Sequence, residues 1–177
     1  QLNKNNRDLG WMLGMHKNLK KYLSLEDQKI IEFEIDFQMS LERTGVPTGI
    51  IHGDLFKDNV LFLNDKVSGF IDLYYACNDR FIYDIAIALN DWCINADGKI
   101  NKLIYLEFIK GYESERKLTE NEQDCLNVDL RLAALRFWLS RLKDFHNAKE
   151  GEITSIKDPN HFKDILLNRQ TMENYAN

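Results

Sequence analysis

The sequence predicts a mainly α domain of the α+β class, on three observations. Apolar residues recur at helical spacing through most of the chain, helix-capping signals punctuate that pattern, and one short block of β-formers around a turn interrupts it. Between Arg7 and Leu23, the residues Leu9, Met12, Leu13, His16, Leu19 and Leu23 mark one helix face, and Lys17, Lys20 and Lys21 suit its C-terminal dipole. Ser24 with Asp27 reads as a capping pair for a second helix, with Ile30, Ile31, Phe37 and Leu41 on one side and an end near Gly45. Pro47 cannot continue a helix, so Gly49 to Asp54 should be a strand-like entry into a loop. Val60–Leu63, the turn Asn64-Asp65, and Lys66 to Leu73 form a β-hairpin whose second strand ends on Asp72. After the polar stretch Asn78-Asp79-Arg80, the run Phe81 to Ile94 is apolar enough for a largely buried helix. Asn101 to Tyr112 is amphipathic, and Thr119 with Glu122 is a capping box opening a long helix through Leu126, Leu130, Leu135, Trp138 and Leu142. Asp158 before Pro159 starts a last helix through Phe162, Ile165 and Leu166. No repeat divides the chain, so one domain over residues 1–177 is expected.

Composition narrows the function. The 177 residues carry a net charge of −5 without a long Lys/Arg cluster, which argues against a nucleic-acid partner. The longest apolar runs, Ile85–Leu89 and Val60–Leu63, fall far short of the roughly 20 residues a membrane span needs. Cys77, Cys93 and Cys125 are odd in number and lack zinc-ligand spacing, so they read as packing thiols in a reducing, cytoplasmic setting. Gln1 is not an initiator and no signal peptide follows it, so a fragment is expected.

The chemistry concentrates in His52-Gly-Asp-Leu-Phe-Lys-Asp-Asn59. Asp54 stands five residues before Asn59 in a loop, and Asp72 lies thirteen residues beyond Asn59 at the end of the hairpin. This set suits phosphoryl transfer, which needs a carboxylate to orient and accept a hydroxyl proton and hard oxygens to hold Mg²⁺ against nucleotide phosphates. Asp84, among Tyr83, Ile85 and Ala86, would cost several kcal/mol if buried unpaired, so it should accept hydrogen bonds from backbone N–H groups of a neighbouring loop. His52 is either a participant or a scaffold whose ring holds backbone, the latter being the commoner use. Lys57 either reaches a transferred phosphate or is merely solvated. Asn90-Asp91-Trp92 either faces the alcohol substrate or closes a core helix. Arg136 and Arg141 either clamp a carboxylate or line a wet helix face.

His52-Gly53-Asp54, Asn59 and Ile71-Asp72-Leu73 resemble the catalytic and metal loops of the aminoglycoside phosphotransferase branch of the protein-kinase-like superfamily. Within that branch the words Gly53 to Phe62, Ala76 to Asp79, Asn90 to Cys93 and Leu132 to Leu142 are similar to those of the bacterial homoserine kinases, and the likeness runs from about Leu9 to Arg169. The resemblance implies a C-terminal kinase lobe in which Asp54 is the catalytic base, Asn59 and Asp72 are magnesium ligands, and Asp84 braces the catalytic loop with His52 in support. It implies ATP and Mg²⁺ as cofactors and a small alcohol, L-homoserine, as substrate, with Lys57, Asp91 and Arg141 as phosphate or substrate contacts and Arg141 favoured over Arg136. The family's glycine-rich nucleotide-binding N-terminal lobe has no counterpart before His52, so the isolated chain is expected to be inactive and to self-associate through its exposed face. Kinases of choline, aminoglycosides or thiosugars, and a non-catalytic pseudokinase-like binding lobe, are the competing readings.

Overall fold

The computed structural model describes residues 3–147 and 157–172. Its elements are α1 (Leu9–Leu19), α2 (Leu25–Met39), β1 (Thr48–Ile51), β2 (Val60–Leu63), β3 (Lys66–Phe70), β4 (Cys77–Arg80), α3 (Phe81–Trp92), α4 (Lys102–Glu115), α5 (Glu120–Asn147) and α6 (Asn160–Gln170). The expected mainly helical α+β class is what forms.

Local chemistry sets most helix starts. Asp8 Oδ1 accepts from Trp11 N at 3.0 Å to open α1, and Ser24 Oγ accepts from Asp27 N at 3.0 Å to open α2. Asp158 Oδ1 accepts from Asn160 N at 2.9 Å, while Pro159 occupies the cap of α6. At α5 the capping box closes in both directions: Thr119 N donates to Glu122 Oε2 at 2.9 Å and Glu122 N donates to Thr119 Oγ1 at 3.3 Å.

Glu122 is fully buried, and Arg116 donates to both of its carboxylate oxygens. Burial alone would push this carboxyl up, but the Arg116 and Thr119 hydrogen bonds outweigh it and hold it below the usual glutamate value of 4.5. A depressed carboxyl contributes stability that is present above 4.5 and lost as pH falls through the lower folded value. Glu122→Gln should therefore cost about 1–3 kcal/mol at pH 7. Its stability should also fall less steeply than the parent's below pH 4.5, as urea unfolding at pH 7 and pH 3 would read. Parallel acid limbs in the two proteins would contradict the assignment.

The core is built around α5. Every residue from Asp129 to Leu139 is buried, because α5 is covered by α3, α6, α1 and α2 on different sides. Leu130, Leu135, Trp138 and Leu139 pack with Ile82, Tyr83, Ala86, Ile87 and Leu89 of α3 and with Phe162, Ile165 and Leu166 of α6. The charges inside that stretch are each engaged by another element. Asp129 meets Arg80, Arg131 donates to Glu34 of α2, and Arg136 turns toward the loop after β1.

Several expectations are corrected. The first helix tightens after Leu19 into a 3-10 turn over Lys20–Tyr22 rather than continuing to Leu23. The second ends at Met39, not near Gly45, because the N–H of Ser40 closes the last turn on Asp36 O and Phe37 O and Arg43 reaches back to Gln38 O at 3.1 Å. The second hairpin strand ends at Phe70, not on Asp72, because Asp72 takes a left-handed conformation (φ 64°) that no strand can continue through. The stretch Asn78-Asp79-Arg80 belongs to a strand: β4 pairs antiparallel with β1 in the register Thr48↔Arg80 to Ile51↔Cys77, forming a second two-stranded sheet. The poor strand propensity of Asn and Asp is offset by contacts outside the pair, since Asn78 N donates to Asn3 O and Asp79 accepts from Asn5. Among the described residues no helix is long and apolar enough to cross a membrane.

Candidate functional site

The loop from His52 to Asn59 leaves β1, enters β2, and is fixed from four directions. Asp84, in the first turn of α3, accepts from His52 N at 3.0 Å and from Gly53 N at 2.8 Å, pairing two backbone donors with one carboxylate. Gly53 is left-handed (φ 74°), and a Cβ there would stand 2.7 Å from Tyr75 O, so both its conformation and its surroundings demand glycine. From α5, Arg136 donates to Gly53 O at 2.9 Å and lies 3.4 Å from Asp54 Oδ1. The end of α3 holds the middle of the loop: Trp92 Nε1 donates to Leu55 O at 3.2 Å and Asp91 Oδ2 accepts from Lys57 N at 2.7 Å. Phe56 anchors the loop in the core, edge-on to Phe137 at 4.5 Å and tilted against Phe162 at 6.0 Å.

Asn59 touches Asp54, and Asp72 stands close enough for its charge to act on it. Asn59 is buried, and its Nδ2 donates to Asp54 O at 2.8 Å and lies 3.4 Å from Asp54 Oδ2. Ile71 is clamped on both sides: its N–H donates to Asn59 O at 3.0 Å and its carbonyl lies 3.0 Å from His52 Nε2. The chain therefore delivers Asp72, exposed and left-handed, beside the loop. Burial pushes the Asp54 carboxyl above the usual aspartate range, Arg136 opposes that rise, and the Asp72 charge adds to it. A carboxylate more basic than a free aspartate, with a guanidinium to hold it, is chemically suited to orient a hydroxyl and take up its proton.

Among the described residues no three His, Cys, Asp or Glu side chains stand together as a metal site. The oxygens on offer, one carboxamide at Asn59 and one carboxylate at Asp72, do not enclose an ion by themselves. They fit a hard cation such as Mg²⁺, which keeps waters and shares its remaining positions with phosphate oxygens.

The structure thus brings together Asp54, Asn59, Asp72, His52 and Asp84. The Lys57 side chain is exposed beside them. Asp91 lies on the flank, with one oxygen committed to the loop backbone. Arg141 is half-buried, donates to Asp158 O at 3.1 Å, and stands 4.4 Å over the Phe162 ring. Burial lowers its guanidinium, against the opposing charges of Asp91, Asp158 and Asp58. Arg136 is the arginine that holds the loop itself, and it also faces the Phe137 and Tyr75 rings at 3.9 and 5.0 Å. Its position inside the continuous apolar word Leu132 to Leu139 is the signal that marks it as buried.

The chain belongs to the phosphotransferase enzyme family (APH), whose model matches residues 5–123. Among curated proteins it is similar to the homoserine kinase of Neisseria meningitidis serogroup B, 45% identical over 163 residues that cover 92% of this chain and 53% of the relative. The homoserine kinase of Methylobacillus flagellatus is 42% identical over 162 residues, covering 92% of this chain and 51% of the relative. The chain therefore spans about half the length of these relatives. Among solved structures, the Plasmodium vivax ethanolamine kinase superposes with a TM-score of 0.63 at 18% identity, over 93% of this chain and 49% of that one. An amicoumacin kinase in complex with AMP-PNP, Ca²⁺ and Ami superposes with a TM-score of 0.58 at 19% identity, over 88% and 47% of the two chains. These two likenesses speak to the fold.

Proposed function

We propose that this chain is the C-terminal, catalytic-loop lobe of an ATP-dependent kinase acting on the hydroxyl of L-homoserine to give O-phospho-L-homoserine. The observation that carries the reading is that Asn59 and the charge of Asp72 both act on Asp54, in a loop braced by Asp84 and Arg136. The homoserine kinases that share more than two-fifths of the aligned residues support the choice of substrate. In this reading Asp54 orients the substrate hydroxyl and accepts its proton, while Arg136 keeps the carboxylate in place. Asn59 and Asp72 would hold Mg²⁺, whose contribution is to neutralise charge on the transferred phosphoryl group. His52 ties Ile71 to the loop, so the two metal-binding positions stay in register. Lys57 is the candidate phosphate contact, and Arg141 with Asp91 the candidate pair for the carboxylate and amino group of the substrate.

The nucleotide would be completed from the other side by an N-terminal lobe. The hairpin face next to Asp72 is apolar and open, with Phe62, Phe70, Leu73 and Tyr74 all exposed and Tyr74 92% so. An apolar surface of this kind is where such a lobe would rest, and where the chain on its own would self-associate. We place the enzyme in the cytoplasm, with its cysteines free.

The test is a substrate panel on a full-length protein carrying this chain. With ATP and Mg²⁺, L-homoserine should be phosphorylated with kcat/KM at least about tenfold above choline, ethanolamine or an aminoglycoside. Arg141→Lys should lower kcat/KM for homoserine by about 10- to 100-fold, since a point charge replaces a two-pronged donor. Preference for choline or an aminoglycoside would move the assignment to another small-molecule kinase, and failure to use any of them would favour the binding-lobe reading.

A further inference from the structure

Arg136 is the guanidinium that grips the catalytic loop, and among the described residues it does so through Nη1 alone. That atom donates to Gly53 O at 2.9 Å and lies 3.4 Å from Asp54 Oδ1, while Nε has no hydrogen-bond partner. A planar group held at one corner can swing about that corner, so this grip by itself does not fix where the rest of the guanidinium lies. Arg136 is only 3% exposed, so bulk water does not supply the missing contacts.

Two aromatic rings do. Phe137, the next residue on α5, has its ring centroid 3.9 Å from the guanidinium carbon. The other ring, Tyr75 at 5.0 Å, comes from a distant part of the chain. Both lie within the roughly 6 Å over which a ring face attracts a cation, and that attraction is largest where water is excluded. Tyr75 is half-buried and ends the 3-10 turn Leu73–Tyr75, which follows Asp72 and is closed by Ala76 N donating to Leu73 O at 3.0 Å. Its carbonyl is the atom that leaves no room for a Cβ on Gly53, so its backbone approaches the same loop residue that Arg136 holds. Arg7, 5.4 Å from the Tyr75 centroid and 4.6 Å from that of Trp11, ties the ring to α1. The turn after Asp72 and the helix that carries Arg136 thus meet at one ring.

We propose that Tyr75 is a positioning residue of the catalytic loop: its ring holds the Arg136 guanidinium against Gly53 O and so keeps the Asp54 carboxylate in place. Its effect on rate rests on the reading of Asp54 as base; its effect on the loop does not. The ring face is what acts, so phenylalanine can replace this tyrosine, whereas leucine, apolar but without a π face, cannot.

The experiment compares Tyr75→Phe and Tyr75→Leu in a full-length protein carrying this chain, each alone and combined with Arg136→Gln. With ATP, Mg²⁺ and whichever alcohol of the panel the parent prefers, Tyr75→Leu should lower kcat about tenfold, and Tyr75→Phe should stay within about twofold of the parent. In the Arg136→Gln background Tyr75→Leu should cost less than about twofold more, because the cation that the ring holds is already gone. Amide hydrogen exchange gives a readout that needs no reaction and no Arg136 variant. Tyr75→Leu should speed exchange at His52 and Gly53 about tenfold while Leu135 and Leu139 of α5 keep the parental rate, and Tyr75→Phe should change neither. Parental kcat in Tyr75→Leu, an equal loss in Tyr75→Phe, additive losses with Arg136→Gln, or unchanged exchange at His52 and Gly53 would overturn the inference. A parent that phosphorylates no alcohol of the panel would overturn the kinase reading instead, and the exchange comparison would then decide the inference alone.

Discussion

Asp54→Asn in a full-length protein carrying this chain is expected to lower kcat by about 10³-fold or more while leaving KM for ATP within a few-fold of the parent. Asparagine is isosteric and can still touch Asn59 and Arg136, so the loop geometry survives and what disappears is the oxygen that accepts the substrate proton. Thermal unfolding supplies the control. The variant should melt within a few degrees of the parent, because it replaces a carboxylate whose burial already disfavours its charge. Near-parental turnover in a folded Asp54→Asn protein would remove Asp54 from the role of base.

Asp84→Ala is expected to be nearly as damaging by a different route. Its carboxylate is the partner of two consecutive backbone donors, His52 N and Gly53 N, at 3.0 and 2.8 Å. Each donor left unpaired costs about 1–3 kcal/mol, so the pair should destabilise the fold by about 2–6 kcal/mol. Gly53 is also where Arg136 grips the loop, so its release would displace Asp54. A displacement of about 1 Å at a reacting group can cost about 10²-fold in rate, which is the loss expected in kcat at a temperature where the variant is still folded. Asp84→Asn keeps one acceptor oxygen and should fall between parent and alanine variant in both stability and rate. Parental stability in Asp84→Ala, read by urea unfolding, would show that the loop is held by other means.

What the sequence revealed, and what it hid, follows from how far apart the interacting groups are along the chain. The capping pairs Ser24 with Asp27 and Thr119 with Glu122 are three residues apart, so their chemistry is complete within a local window and each marks a helix start correctly. Asp54 and Asn59, five residues apart, are local too, whereas Asp72, eighteen residues from Asp54, joins them only through the resemblance to the kinase loops, and the need of Asp84 for backbone donors follows from its apolar neighbours. The β1–β4 sheet is a pairing between segments nearly thirty residues apart, made by side chains with poor strand propensity, and nothing local announces it. The left-handed turn at Asp72 is equally hidden, since no glycine marks it; it is imposed by the clamping of Ile71 between His52 and Asn59. Arg136 shows a third kind of limit. Its apolar neighbours mark it as buried, but only the docking of a loop from 83 positions earlier supplies its partner in the interior.

The most direct test of the central claim is phosphorus NMR of the full-length protein's reaction with ATP, Mg²⁺ and L-homoserine. The account predicts a new phosphomonoester resonance coupled to the hydroxymethylene protons of homoserine, growing in step with ADP in the parent and absent with Asp54→Asn over the same time. ADP released with only inorganic phosphate beside it, or the homoserine ester formed equally well by both proteins, would contradict it.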